Sequence, residues 1–209
     1  MQRDKRKTGA FYPCLFSTVY DIIITKAGDY MAKTMKISAL VSALLTLLFI
    51  ILYIIAPRSW LRILAITAGT TAYHFIMRLL VGYIINLLLH NKADYNAAWF
   101  KVSEFELRLY NKLRVKKWKG RMGTYDPGSF DAKIHSWEEI AGATCQAELV
   151  HEVIILLSFL PLLAAIPFGS FEAFAITSLL AACFDSIFVV IQRYNRPRII
   201  KLIKKEALL

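Results

Sequence analysis

The sequence predicts an all-α integral membrane protein with about four transmembrane helices plus interfacial helices, both termini cytoplasmic. Three observations predict it. First, the 209 residues are 57% hydrophobic, and the apolar ones fall in long blocks separated by charged stretches. Second, four of those blocks approach the roughly 20 apolar residues that carry a helix across a hydrocarbon core about 30 Å thick. Third, Lys and Arg are distributed unevenly. Seven lie in residues 1–36, ten in 91–150 and six after Gln192, against Arg58 and Arg62 in the short connection 57–62 and none in 168–170. Positive residues favour the cytoplasmic side, so four spans with both ends inside fit the count.

The elements follow in order. Residues 1–36 read as a basic N-terminal arm and interfacial segment. Within them, 1–10 is a basic, disordered arm, and 11–35 mixes Phe11, Tyr12, Phe16 and Tyr20 with Asp21, Lys26 and Asp29, as an interfacial or re-entrant segment does. Residues 37–209 read as a four-helix membrane domain with a cytoplasmic loop at 91–150. The first span, 37–56, carries no charge and ends at Pro57, with Trp60 as an aromatic anchor. The second, 63–89, holds only His74 and Arg78 as ionisable groups. Residues 94–118 are expected to form an amphipathic helix on the membrane. Trp99, Phe100, Phe105, Leu109 and Leu113 would share its apolar side, with Lys101, Glu104, Arg108, Lys112 and Lys116 facing outward. Gly120, Gly123 and Asp126-Pro127-Gly128 mark a loop over 119–135. Ser136 with Glu139 three residues later reads as a helix start. The third span, 153–167, extends back through Leu149 and is kinked and ended by Pro161 and Pro167. The fourth, 171–191, is interrupted by Glu172 and Asp185.

Net charge of +11 on a soluble chain would point to nucleic acid. Here topology accounts for it, and no nucleic-acid partner is expected. The three cysteines, Cys14, Cys145 and Cys183, lie far apart and outside any CxxC pattern, and no cleavable signal peptide is read at the start. GxGxxG, P-loop and GxSxG motifs are absent, as is the His-x-x-x-x-Asp box of common glycerolipid acyltransferases.

Ionisable groups inside a span cost about 2.5 to 3.5 kcal/mol each at the centre, so they are paired, wet or useful. Three sets stand out. His74, Arg78, Gly82, Asn86 and His90 recur every four residues along one helix stripe, as a polar seam between helices or a functional cleft. Glu148, His151 and Glu152 share a face at the membrane boundary. They read as a general-base pair with His151 oriented by a glutamate, or as a structural ion pair. A single Glu-x-x-His is too little for a di-metal site, and no metal is expected. Asp185 and Gln192 share a face of the fourth span, followed by Arg193, Tyr194, Asn195, Arg196 and Arg198. Such an arginine cluster suits phosphate or carboxylate, or anchors the cytoplasmic end. Lys117 and Trp118, within Arg114–Lys119, read as a headgroup-level surface element or part of the same site.

Three of these stretches also carry a resemblance. Arg114-Val-Lys-Lys-Trp-Lys119, then Ala147-Glu-Leu-Val-His151, then Ile191-Gln-Arg-Tyr-Asn-Arg-Pro-Arg198 resemble the signature blocks of the glycosyl-4,4'-diaponeurosporenoate acyltransferase family, over roughly residues 95–205. Tyr73–Arg78 resembles a stretch of its longer, Firmicutes-type members. The resemblance implies transfer of a fatty acyl group to a sugar hydroxyl of a glycosylated carotenoid, as in staphyloxanthin-type synthesis. It implies a multi-pass protein of a bacterial cell membrane, with an acyl-CoA or acyl carrier protein as co-substrate and no resident cofactor.

On the residues themselves, His151 with Glu148 or Glu152 would be the catalytic set. His74, Arg78, Asn86, Lys117, Trp118, Asp185, Gln192, Arg193, Tyr194, Asn195, Arg196 and Arg198 would bind substrate. The expected partners are membrane lipids and a lipid or glycolipid substrate; a homodimer stays open. Two other readings compete: a membrane reductase or methyltransferase acting on an isoprenoid or steroid, and a non-enzymatic lipid-binding protein.

Overall fold

A computed structural model describes residues 12–208, with side chains described from Tyr30 onward. The expected basic arm over 1–10 lies outside the described residues. Every regular element among the described residues is a helix, and none of them is a strand. Helices α1 (Tyr12–Ile55) and α2 (Ser59–Leu89) form a tight hairpin. A connection follows with two short helices, α3 (Glu104–Lys112) and α4 (Val115–Trp118), and then come α5 (Trp137–Leu157), α6 (Ala165–Phe168) and α7 (Phe171–Glu206).

Four stretches are long and apolar enough to cross a membrane: Tyr30–Ile55, Ser59–Leu89, Trp137–Phe168 and Phe171–Glu206. Their outer faces are apolar: Leu40, Ile54, Leu88, Leu156 and Leu180 are each more than 60% exposed. An exposed apolar surface that continues around all four helices is stable only against lipid. Hydroxyls inside the spans bond back to their own helix. Ser42 Oγ donates to the Ser38 carbonyl at 2.6 Å, and Thr46 Oγ1 to Ser42 at 2.7 Å, as they must where no water is available.

The helices extend past the apolar blocks that mark them in the sequence. Helix α1 runs unbroken from Tyr12 into the first span, so the backbone of 12–35 continues that helix without a turn. Helix α5 begins at Trp137, where Ser136 and Glu139 form the expected capping box. It ends at Leu157, and a 3-10 turn over Leu160–Ala164 holds Pro161.

The residues 94–118 differ from the single amphipathic helix expected of them. They form a 3-10 turn at Ala98–Phe100 and then α3 and α4, separated by Arg114 in the left-handed region at φ 52°. Phe100 turns inward and is buried. Trp99, Phe105, Leu109 and Leu113 stay exposed, as an apolar side facing a bilayer surface should.

The order of the bundle follows from its contacts. Helix α1 packs on α2, with Thr46 filling the space beside Gly69, and α5 packs along α7. Ile63 and Thr67 of α2 line the same cavity as Ala173 and Ile176 of α7. The turn after α1 and the turn before α7 therefore share one end of the bundle. The connection 90–136 and the end of α7 occupy the other, here called the loop end.

At that loop end, Gly142 of α5 lies against the strained exit of α2, where His90 and Asn91 have φ of 49° and 59°. A Cβ at 142 would stand 2.7 Å from the Asn91 carbonyl oxygen. Because the obstacle is backbone, Gly142→Ala is expected to cost about 1 to 3 kcal/mol. Thermal unfolding in detergent reads this as a lower Tm, and an unchanged Tm would show that the α2 exit yields freely.

Candidate functional site

Two polar clusters are stacked between α2, α5 and α7. The inner one joins three helices. Asp185 of α7, 1% exposed, accepts hydrogen bonds from the Arg78 guanidinium of α2 and faces His151 Nδ1 of α5 at 2.9 Å. The His151 ring stacks on Phe188, with centroids 4.7 Å apart, and Phe188 meets Phe184 edge-on. An Asp185 carboxylate accepts from Nδ1–H, which leaves Nε2 of a neutral ring with its lone pair free. No described residue bonds to Nε2, and the side chain keeps 22% of its surface open. Phe184, half exposed on the bundle surface, puts this ring near the lipid-facing side. One turn along α2, His74 is buried against Tyr73, and neither of its ring nitrogens has a partner.

The second cluster lies one turn nearer the loop end and is built from four charges. Glu148, fully buried on α5, accepts from Arg193 Nη1 at 2.6 Å and pairs with Arg196. Arg196, equally buried, donates to the carbonyls of Phe100 at 2.9 Å and Thr144 at 3.2 Å. Arg193 also bonds Glu106 of α3 at 2.6 Å and reaches the carbonyls of Trp99 and Lys101. Two guanidiniums and two carboxylates balance, the condition under which buried charge is tolerable. The cluster therefore clamps the connection 98–106 onto α5 and α7.

Glu106 repeats the capping pattern at the start of α3, where its carboxylate accepts from the Ser103 N–H and hydroxyl. Burial works against its charge. The Arg193 and Ser103 hydrogen bonds outweigh that and hold its pKa down from 4.5 to about 2. The Tyr110 hydroxyl, buried and bonded to the same carboxylate, is pushed up to about 12. Because folding lowers the Glu106 pKa, its contribution is present above pH 4.5 and lost as pH falls toward 2. Hydrogen exchange of α3 is expected to accelerate in that window. Glu106→Gln should bring the same loosening to neutral pH, and α3 protection unchanged by acid would refute the clamp.

The residues singled out by sequence thus divide. His151, Arg78, Asp185 and His74 meet in one place. Glu148 does not orient His151, because its carboxylate is taken by two arginines; the group on Nδ1 is Asp185 instead. Glu152 accepts from the Trp99 indole N–H at 2.8 Å. Arg193 and Arg196 point inward to carboxylates and carbonyls, so the arginine cluster is not an open phosphate site. Arg198 bonds the Tyr194 carbonyl and lies 3.7 Å over the Tyr194 ring. Asn195 accepts from Lys119, whose ammonium pKa is lowered by burial and by Arg198. Trp118 donates to the Leu113 carbonyl at 3.1 Å and packs by Tyr110 and Tyr194, while Lys117 is exposed.

Asn86 and His90 leave the polar stripe. Asn86 is exposed and accepts from Gln146, His90 is exposed, and Gly82 faces open space. Gln192, half-buried, has no bonded partner among the described residues. Sequence reasoning passes over Glu106, although Ser103-x-x-Glu106 is the same signature as Ser136-x-x-Glu139. It also passes over Phe188, which no local signal marks. No group of three or more metal-ligating side chains occurs among the described residues.

The glycosyl-4,4'-diaponeurosporenoate acyltransferase (CrtO) family model matches residues 96–205, just over half of the chain. The chain belongs to this family. The matched region begins just before the Trp99–Phe100 turn and runs through α3, the capped start of α5, His151 and Asp185 to the end of α7, so the acyltransferase family's region contains both clusters apart from Arg78 and His74 of α2. No curated protein and no solved structure matches the chain.

Proposed function

We propose that the protein is a membrane acyltransferase that moves a fatty acyl group onto a hydroxyl of a lipid or glycosylated isoprenoid, with a carotenoid glycoside as the family's substrate. The observation that carries this is the Asp185–His151 pair. It is an imidazole oriented through Nδ1, with Nε2 free, beside phenylalanines that reach the lipid-facing surface. Asp185 is in turn fixed by Arg78.

In the reaction, Nε2 takes the proton as the substrate hydroxyl oxygen attacks the carbonyl carbon of an acyl thioester. The new C–O bond forms, the C–S bond breaks, and the imidazolium returns the proton to the leaving thiolate. Asp185 holds the ring tautomer and offsets the imidazolium charge. Arg193 and Arg196 are committed to carboxylates, so they are poor candidates for the oxyanion. Gln192, seven residues beyond Asp185 on the same helix face, carries a free amide for that role. The acyl donor is an acyl-CoA or acyl carrier protein. The loop end faces the cytoplasm of a bacterial cell by the distribution of Lys and Arg.

The test is transfer of labelled acyl chain from acyl-CoA to a glycosylated carotenoid acid by the purified protein, read by mass spectrometry. Formation of an acyl ester on the sugar is expected. Absence of transfer to any hydroxyl-bearing isoprenoid glycolipid, with either donor, would defeat the reading.

A further inference from the structure

A groove at the loop end borders the ion cluster on its outer side. It has a volume of about 390 Å³ and runs between the 95–102 segment and the last turns of α7. Its floor is the buried Arg196, whose Nη1 ties the two walls together through the Phe100 carbonyl. Lys101, Lys201 and Lys204 line it, and no acidic side chain does. All three lysines are exposed, and none forms an ion pair among the described residues. Arg196 Nε is buried without a hydrogen-bond partner. Tyr95, Phe100 and Ile200 give the walls an apolar character.

We propose that this groove binds a phosphate ester whose attached group lies against the apolar walls. Three lysines lining a cavity that no acidic side chain lines create a positive potential there that an anion relieves. Arg196 beneath is already paired with Glu148, so the groove's positive charge comes from the lysines. Tyr95 and Ile200, both half-buried, offer apolar surface to such an appendage. Two sources share this chemistry: the phosphates of a coenzyme A thioester and the headgroup of an anionic phospholipid. The former would make the groove the docking point of the acyl donor, and that assignment rests on the acyl-transfer reading above. Asp185 and Ile200 are fifteen residues apart on α7, about 22 Å at 1.5 Å per residue, a distance the extended arm of such a donor covers.

The experiment compares wild type with Lys201→Glu/Lys204→Glu, a pair of exposed changes that should leave Tm within a few degrees. Coenzyme A binding is measured in neutral detergent by calorimetry, with dephosphorylated pantetheine as the control. Retention of phosphatidylglycerol against phosphatidylcholine is measured in mixed micelles. Weakening of coenzyme A binding by tenfold or more in the variant identifies the donor as occupant. A comparable loss confined to phosphatidylglycerol identifies the lipid headgroup. Both results support a phosphate site.

If wild type binds neither above its control, or if the variant binds both as wild type does, the proposal is overturned. Its failure is separable from failure of the acyl-transfer reading. An active enzyme whose KM for the donor and lipid retention ignore the charge reversal loses only the groove. An inactive protein with charge-dependent binding loses only the reaction.

Discussion

Replacing Glu148 by Ala is expected to destabilise the protein by about 3 to 5 kcal/mol, because it strands two guanidiniums in the interior. Arg196 is fully buried and would lose its one carboxylate, and Arg193 would keep Glu106 as its remaining carboxylate partner. Removing one partner of a buried pair costs more than the pair contributes, since the remaining charge has no solvent to return to. The expected readout is loss of the monodisperse peak in detergent chromatography, or a sharply lower Tm. The double variant Glu148→Leu/Arg196→Met removes charge from both sides and leaves Arg193 with Glu106. It is expected to recover much of the loss. The double variant also separates roles. If Glu148 only clamps the connection to the bundle, the double variant keeps a substantial part of the transferase activity; if Glu148 handles a proton, the recovered fold is inactive. A single Glu148→Ala protein as stable as wild type would show that the buried ion cluster is not what holds the connection in place.

The second large effect concerns rate, not stability. His151→Ala is expected to lower acyl transfer by about 10² to 10⁴, the contribution of a positioned general base, while the Tm changes little. The ring is partly exposed and packs chiefly on Phe188, so its loss opens a small space at the edge of the core. Asp185→Asn tests the orienting group. The amide can no longer act as an anionic acceptor for Nδ1–H, so the rate should fall with binding of the lipid substrate little altered, a kcat effect more than a KM effect. His151→Ala turning over at the wild-type rate would remove the base assignment. A KM effect alone in Asp185→Asn would make that residue part of substrate binding, as the sequence first implied.

The difference between these two clusters explains what was legible beforehand. Glu148, His151 and Glu152 are recognisable from spacing alone, since i, i+3 and i+4 share a helix face. Spacing says nothing of what stands opposite. Across from Glu148 come Arg193 and Arg196, seven turns of α7 and a whole connection away in the chain. Across from His151 comes Asp185, which sequence reasoning placed in a different role. Glu106 carried a readable capping signal, but its second task, receiving Arg193, exists only once α3 lies on α7. The lysine-lined groove is the same case in reverse. Lys201 and Lys204 read as ordinary tail charges and Lys101 as the outward side of a surface helix until the 95–102 segment folds beside the end of α7.

Membrane character was determined by the sequence itself. A bilayer imposes a one-dimensional rule, about 20 apolar residues per helix, and the chain obeys it four times. The capping of α5 and its end near Pro161 were equally local and equally readable. What only the tertiary structure decided is how the polar groups inside the helices are partnered. Pairing a buried charge depends on which helix faces which, at what height and in which rotation, and these are set by packing across segments a hundred residues apart. The sequence showed that Arg78, His151, Asp185 and Arg196 had to be satisfied. The fold divided them into an open imidazole site and a closed ionic clamp.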